Sequence, residues 1–162
     1  MTGVQTCALP ISFGLEASGA DIDYIERRVN AVVADMGIQH LLFRDVNRMS
    51  GGEKQSLALA SVALSDPDVY VLDEPTANLD ESAVRVLHDQ LQGIRFRGKT
   101  IVISEHRLYF TADLIDRAIL LENGRIKCQL TAEELRNLDA VQREELGLRG
   151  RQIGRASCRE RV

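Results

Sequence analysis

Residues 67 to 104 carry the pattern that most narrows the fold. Val69-Tyr70-Val71-Leu72 is a short unbroken apolar run bounded by Pro67 and Pro75, the composition of a strand buried on both faces of a parallel sheet. Glu81 to Leu91 has helical spacing, and Thr100-Ile101-Val102-Ile103-Ser104 is a second β-branched run. A strand, a helix and a strand over this length predict a right-handed parallel crossover. The chain is therefore expected to be α/β.

The flanking segments add elements around that unit. Asp21 to Met36 places Ile22, Ile25, Val29, Val32 and Val33 at helical spacing and is closed by Gly37. Ser50-Gly51-Gly52-Glu53 opens a second helix that puts Leu57, Ala60, Ser61 and Leu64 on one face and stops at Asp66-Pro67. Ala118 to Glu122 and Arg125 to Cys128 flank Asn123-Gly124, the signal for a hairpin with a type I′ turn. Thr131 and Glu134 are spaced as a capping box and open a last helix expected to reach about Leu146.

With 162 residues the chain has room for about one domain. Its 20 basic and 24 acidic side chains give a formal charge of -4, which argues against a nucleic-acid surface spread over the molecule. Three cysteines, at 7, 128 and 158, lack CxxC spacing, so neither a disulfide framework nor a zinc site is expected. No stretch approaches the roughly 18 apolar residues that span a bilayer. The ends differ from the middle: residues 1 to 12 are uncharged, and residues 151 to 162 carry four arginines against one glutamate. Both look like adapter-derived tails, to be set aside before fold reasoning; frayed native termini are the alternative.

Two short motifs carry chemistry. Asp73-Glu74 stands at the carboxyl end of the first expected strand, where open α/β sheets bind ligands. One carboxylate there can hold Mg²⁺ while its neighbour orients and deprotonates a water; on its own, such a pair is more commonly a solvated turn. Ser50-Gly51-Gly52-Glu53 is equally readable as a plain capping box or as a hydroxyl and glycine amides presented to a phosphate at a helix N-terminus.

Taken together, MSGGEKQSLALASVALSDPDVYVLDEPTANLD resembles the ATP-binding cassette (ABC) ATPase family over about thirty continuous residues. The resemblance implies a P-loop NTPase-like α/β domain. Ser50, Gly51, Gly52 and Glu53 would be the signature motif, which contacts the γ-phosphate of ATP held by an opposite subunit. Asp73 would be the Walker B carboxylate for Mg²⁺ and Glu74 the catalytic base. Asp80 would close the D-loop Ala77-Asn78-Leu79-Asp80 at the dimer interface, and His106 would be the switch histidine. Met49 stands where leucine is usual, and Ser56 where many relatives carry arginine. FGLEASG, GGEKQ, DEPTANLD and ISEHRLYF further resemble the ATPases of energy-coupling factor transporters, which import vitamins or metal ions. The implied partners are transmembrane transporter subunits and a second ABC ATPase domain, at the cytoplasmic face of the membrane. Another ABC importer or exporter, or a soluble ABC protein acting on ribosomes or DNA, is the alternative.

Gly93-Ile94-Arg95-Phe96-Arg97-Gly98-Lys99-Thr100 satisfies the P-loop expression letter for letter. A working P-loop follows a strand and opens a helix; here a helix precedes it and a strand follows, so the match is expected to be a decoy. No other segment fits that expression. The resemblance then implies an incomplete domain: a helical subdomain over 13–66, Walker B to the C-terminal helix over 67–149, and tails at 1–12 and 150–162. Such a chain is expected to have an unprotected sheet edge and to bind no MgATP alone.

Overall fold

The computed structural model describes residues 8–105 and 111–146. The elements, in order, are α1 (Ala8–Ala17), α2 (Ile22–Asp35), α3 (Gly51–Leu64), β1 (Val69–Asp73), α4 (Glu81–Phe96), β2 (Thr100–Ser104), β3 (Arg117–Glu122), β4 (Arg125–Thr131), α5 (Ala132–Asn137) and α6 (Ala140–Glu145), with two 3₁₀ turns at Gln39–Leu41 and Val46–Arg48. They form two units that divide after Ser104.

In the first unit β1 and β2 pair in parallel, Val69 opposite Thr100 through Asp73 opposite Ser104, as the crossover pattern requires. The core lies among the helices. Val29, Val32 and Val33 of α2, Leu57, Ala60 and Leu64 of α3, and Leu87, Leu91 and Ile94 of α4 are all buried, so the helical periodicity of the sequence marks its inward faces. α2, α3 and α4 each begin at a capping residue. Asp21, Ser50 and Asp80 each take extended backbone and accept a first-turn N–H. Gly37, at φ +67°, ends the turn after α2 in the left-handed region that favours glycine.

Contacts cross the boundary expected at residue 66. α2 and α4 are tied across it: Gln90 Nε2 donates to the Met36 carbonyl at 3.1 Å in the core, and Arg97 pairs with Asp35 at 3.3 Å. An exposed ion pair contributes about 0–1 kcal/mol, so the buried amide is the stronger of these two ties, and α3 packs on α4 across the same boundary. The boundary expected between residues 12 and 13 also falls inside an element, because α1 runs through it with Ile11 and Ser12 buried.

The strands correct a further expectation. β1 is not buried on both faces: Tyr70 is 3% exposed, but Val69 and Val71 on the opposite face are 52% and 78% exposed, beside Val102 of β2 at 52%. The sheet of this unit has two strands among the described residues. Tyr70 lies on its covered face, and burial pushes the phenol's pKa up.

In the second unit β3 and β4 form the expected antiparallel hairpin, with Asn123 and Gly124 both at positive φ as a type I′ turn demands. A register shift lies between Leu120 and Leu121. The last helix is two helices rather than one. Thr131 and Glu134 cap α5 reciprocally, as predicted, but Asp139 and Gln142 exchange a second pair of capping bonds at 2.8 and 3.0 Å. That second cap starts α6 afresh.

Candidate functional site

Both chemical motifs lie at element ends of the first unit. At the start of α3, the Ser50 hydroxyl accepts the Glu53 N–H at 3.3 Å while the Glu53 carboxylate accepts the Ser50 N–H at 2.8 Å. The Arg44 guanidinium pairs with the same carboxylate. Hydrogen bonds from the Ser50 backbone and side chain, reinforced by the Arg44 charge, hold Glu53 below the usual carboxylate range. The first amides of a helix have no partner within it, so Gly51 and Gly52 present their N–H groups at the positive end of the α3 dipole. The capping reading of this motif is therefore realised.

Asp73 ends β1 opposite Ser104 and is exposed. Glu74 continues the ladder by one bond, its N–H donating to the Ser104 carbonyl at 2.8 Å, and then turns sharply with φ +42°. A non-glycine residue held in that region costs on the order of 1–3 kcal/mol, so the surroundings must impose it. Pro75 and Thr76 are buried directly behind it. Asn78, at φ +61°, makes a second left-handed bend. The Ala77 N–H bonds to the Glu74 carbonyl at 2.9 Å and the Leu79 N–H to the Thr76 carbonyl at 3.2 Å, which folds 74–79 into a compact loop. Asp80 then caps α4, accepting the Ala83 N–H and the Ser82 hydroxyl at 2.8 Å each, and those bonds lower its pKa.

The two motifs adjoin through this loop. A Cβ on Gly51 would stand 3.8 Å from the Asn78 carbonyl oxygen and 3.9 Å from Leu79 Cδ2, and one on Gly52 would meet Ala83 of α4. The structure thus brings Ser50, Gly51, Gly52 and Glu53 beside the Asn78–Ala83 end of the loop, with Asp73 and Glu74 at its other end. His106 lies outside the described residues. The Arg44 pairing, the bend at Glu74 and the Ala83 contact had no sequence signal, since none has a period or a spacing rule.

A magnesium ion is commonly held by one or two protein carboxylates completed by phosphate oxygens and waters. The single exposed carboxylate of Asp73 fits that requirement. Among the described residues, no group of three or more His, Cys, Asp or Glu side chains would hold a metal unaided.

The P-loop look-alike has a helix before it and a strand after it, the order expected from the sequence. Gly93 to Phe96 are the last turn of α4, Gly98 sits in the following bend at φ +75°, and Thr100 opens β2. Lys99 Nζ is taken up by Asp66 and Asp68, at 3.2 and 3.3 Å, and those partners raise its pKa, Asp66 foremost.

A family model described as ABC transporter matches residues 5–77. A putative ABC transporter ATP-binding protein from Treponema denticola is 38% identical over 143 residues, covering 88% of this chain and 29% of that protein. The chain thus spans less than a third of the length of this curated relative. Among solved structures, cbiO1 from Clostridium perfringens, described as part of the ABC transporter complex cbiONQ, is 31% identical, with a TM-score of 0.71 over 77% of this chain and 50% of that one. The ADP conformation of MJ1267, an ATP-binding cassette of an ABC transporter, shares the fold at 24% identity and a TM-score of 0.65, over 72% of this chain and 46% of that one.

Proposed function

This chain belongs to the ABC transporter ATP-binding family, and from that premise we propose that it is part of an ATPase subunit that powers an importer of the energy-coupling factor type, for vitamins or metal ions. The observation that carries the proposal is the adjoining of a capped, glycine-opened helix N-terminus with a loop that starts at Asp73-Glu74 and ends at the α4 cap. Likeness to cbiO1, part of a cbiONQ complex, supports the import class.

In this proposal the Gly51 and Gly52 amides and the Ser50 hydroxyl meet the γ-phosphate of ATP bound by a second ATPase domain, and the α3 dipole favours that negative charge. Glu53 keeps Ser50 in place through the reciprocal cap. Asp73 supplies the carboxylate for Mg²⁺, which when bound neutralises developing phosphate charge. Glu74 would take the proton of the attacking water, and His106 would serve as the switch histidine. Asp80 holds the loop that crosses the interface. In this proposal Gly93 to Thr100 does not cradle phosphate, a further segment of the complete protein does, and the 162-residue chain alone does not hydrolyse ATP. The assembly works at the cytoplasmic face of the membrane through transmembrane partner subunits; no helix among the described residues is long and apolar enough to cross it.

Co-expression of the complete protein with the membrane subunits encoded beside its gene tests the import class. Recovery of a stable complex with an energy-coupling transmembrane subunit is the expected result. A stable complex with a permease of another import class, and none with a coupling subunit, would overturn it.

A further inference from the structure

The contact between Gly52 and Ala83 has a consequence beyond capping. A Cβ placed on Gly52 would lie 2.4 Å from the Ala83 Cβ and 3.5 Å from its Cα. The first distance is far inside any van der Waals contact, and the second is an ordinary one. Ala83 Cβ is fixed to the backbone of α4, so it has no rotamer by which to withdraw. Gly51, by contrast, has room for a methyl group. Ala83 also donates the N–H that Asp80 accepts at 2.8 Å. One residue thus touches the open end of α3 with its side chain and holds the α4 cap with its backbone.

We propose that Ala83 is a positioning residue: its methyl group against Gly52 sets the spacing between the α3 N-terminus and the loop that carries Glu74, and position 52 must be glycine because of Ala83 rather than because of a ligand. The inference rests on the ATPase reading above. A side chain at 52 collides with Ala83, and a β-branched side chain at 83 crowds the same gap between the two helix starts. Misplacement of reacting groups by about 1 Å can cost on the order of 100-fold in rate.

Two measurements test this. In this 162-residue chain, Gly52→Ala is expected to lower the thermal midpoint by several degrees, and the exchange Gly52→Ala with Ala83→Gly to recover most of the loss, because it removes the one atom in conflict. In the complete protein, Ala83→Val is expected to lower kcat about 100-fold with the KM for MgATP little changed, whereas the exchanged pair regains turnover that Gly52→Ala alone loses. A merely structural contact would leave kcat of the folded variant unchanged. Wild-type kcat in Ala83→Val, or no recovery of midpoint and turnover in the exchanged pair, would overturn the inference. Absence of ATP hydrolysis by the wild-type complete protein would instead defeat the reading on which it rests.

Discussion

Ser50 and Glu53 show how one residue pair answers two demands. Their reciprocal bonds satisfy amides that would otherwise be orphaned, and the same bonds fix the orientation of the neighbouring glycine N–H groups. Ser50→Ala is expected to cost about 1 kcal/mol of stability, measured as a shift in the denaturant midpoint. Glu53 has a folded-state pKa below its unfolded value, so its contribution is present above about pH 4.3 and is lost as the pH falls through the lower folded value. The unfolding midpoint of Glu53→Gln should therefore decline less than that of the wild type between about pH 5 and 3; equal declines would show that the ionised cap contributes nothing. At this scale the sequence was informative wherever a spacing rule exists. The Ser50/Glu53 and Thr131/Glu134 boxes form as their three-residue intervals predict. The left-handed turn at Glu74 was not legible, because it depends on non-local surroundings such as the bond from the Glu74 N–H to the Ser104 carbonyl.

From α2 to β4, element type and order were legible, whereas α1 was not foreseen and environment was not legible. β1 and β2 fall where β-branched runs place them, yet their apolar composition promised two covered faces and one is open. Composition reports what a strand can bury; what actually covers it depends on the rest of the sheet. The predicted single helix after Thr131 fails for a local reason, the second cap from Asp139 and Gln142, a pairing that the sequence contains and the helical pattern obscured. Lys99 gives an element-level test of the decoy P-loop. It ties the start of β2 to Asp66 and Asp68 before β1. Its raised pKa means that this stabilisation is complete below about pH 10.4 and is lost as the pH rises through the higher folded value. Lys99→Ala should lower the thermal midpoint at neutral pH, with the difference from wild type closing above that range, and should leave ATP turnover by the complete protein unchanged. Loss of ATP binding with an unaltered midpoint would make Lys99 a phosphate ligand after all.

The first unit joins the start of α3 and the loop after Asp73 to a two-stranded parallel sheet whose Val69, Val71 and Val102 are exposed. The motif order from Ser50 to Asp80 was legible because it is a continuous stretch of sequence; the division after Ser104 was not, because it depends on contacts such as Gln90 to the Met36 carbonyl, 54 residues apart. The proposed function makes Glu74 the general base for ATP hydrolysis in the complete protein. Steady-state hydrolysis of MgATP by that protein and by its Glu74→Gln variant tests this most directly. Removal of a general base should reduce turnover by about 10²–10⁴-fold, with MgATP still bound. Wild-type turnover in Glu74→Gln would contradict the assignment of the site.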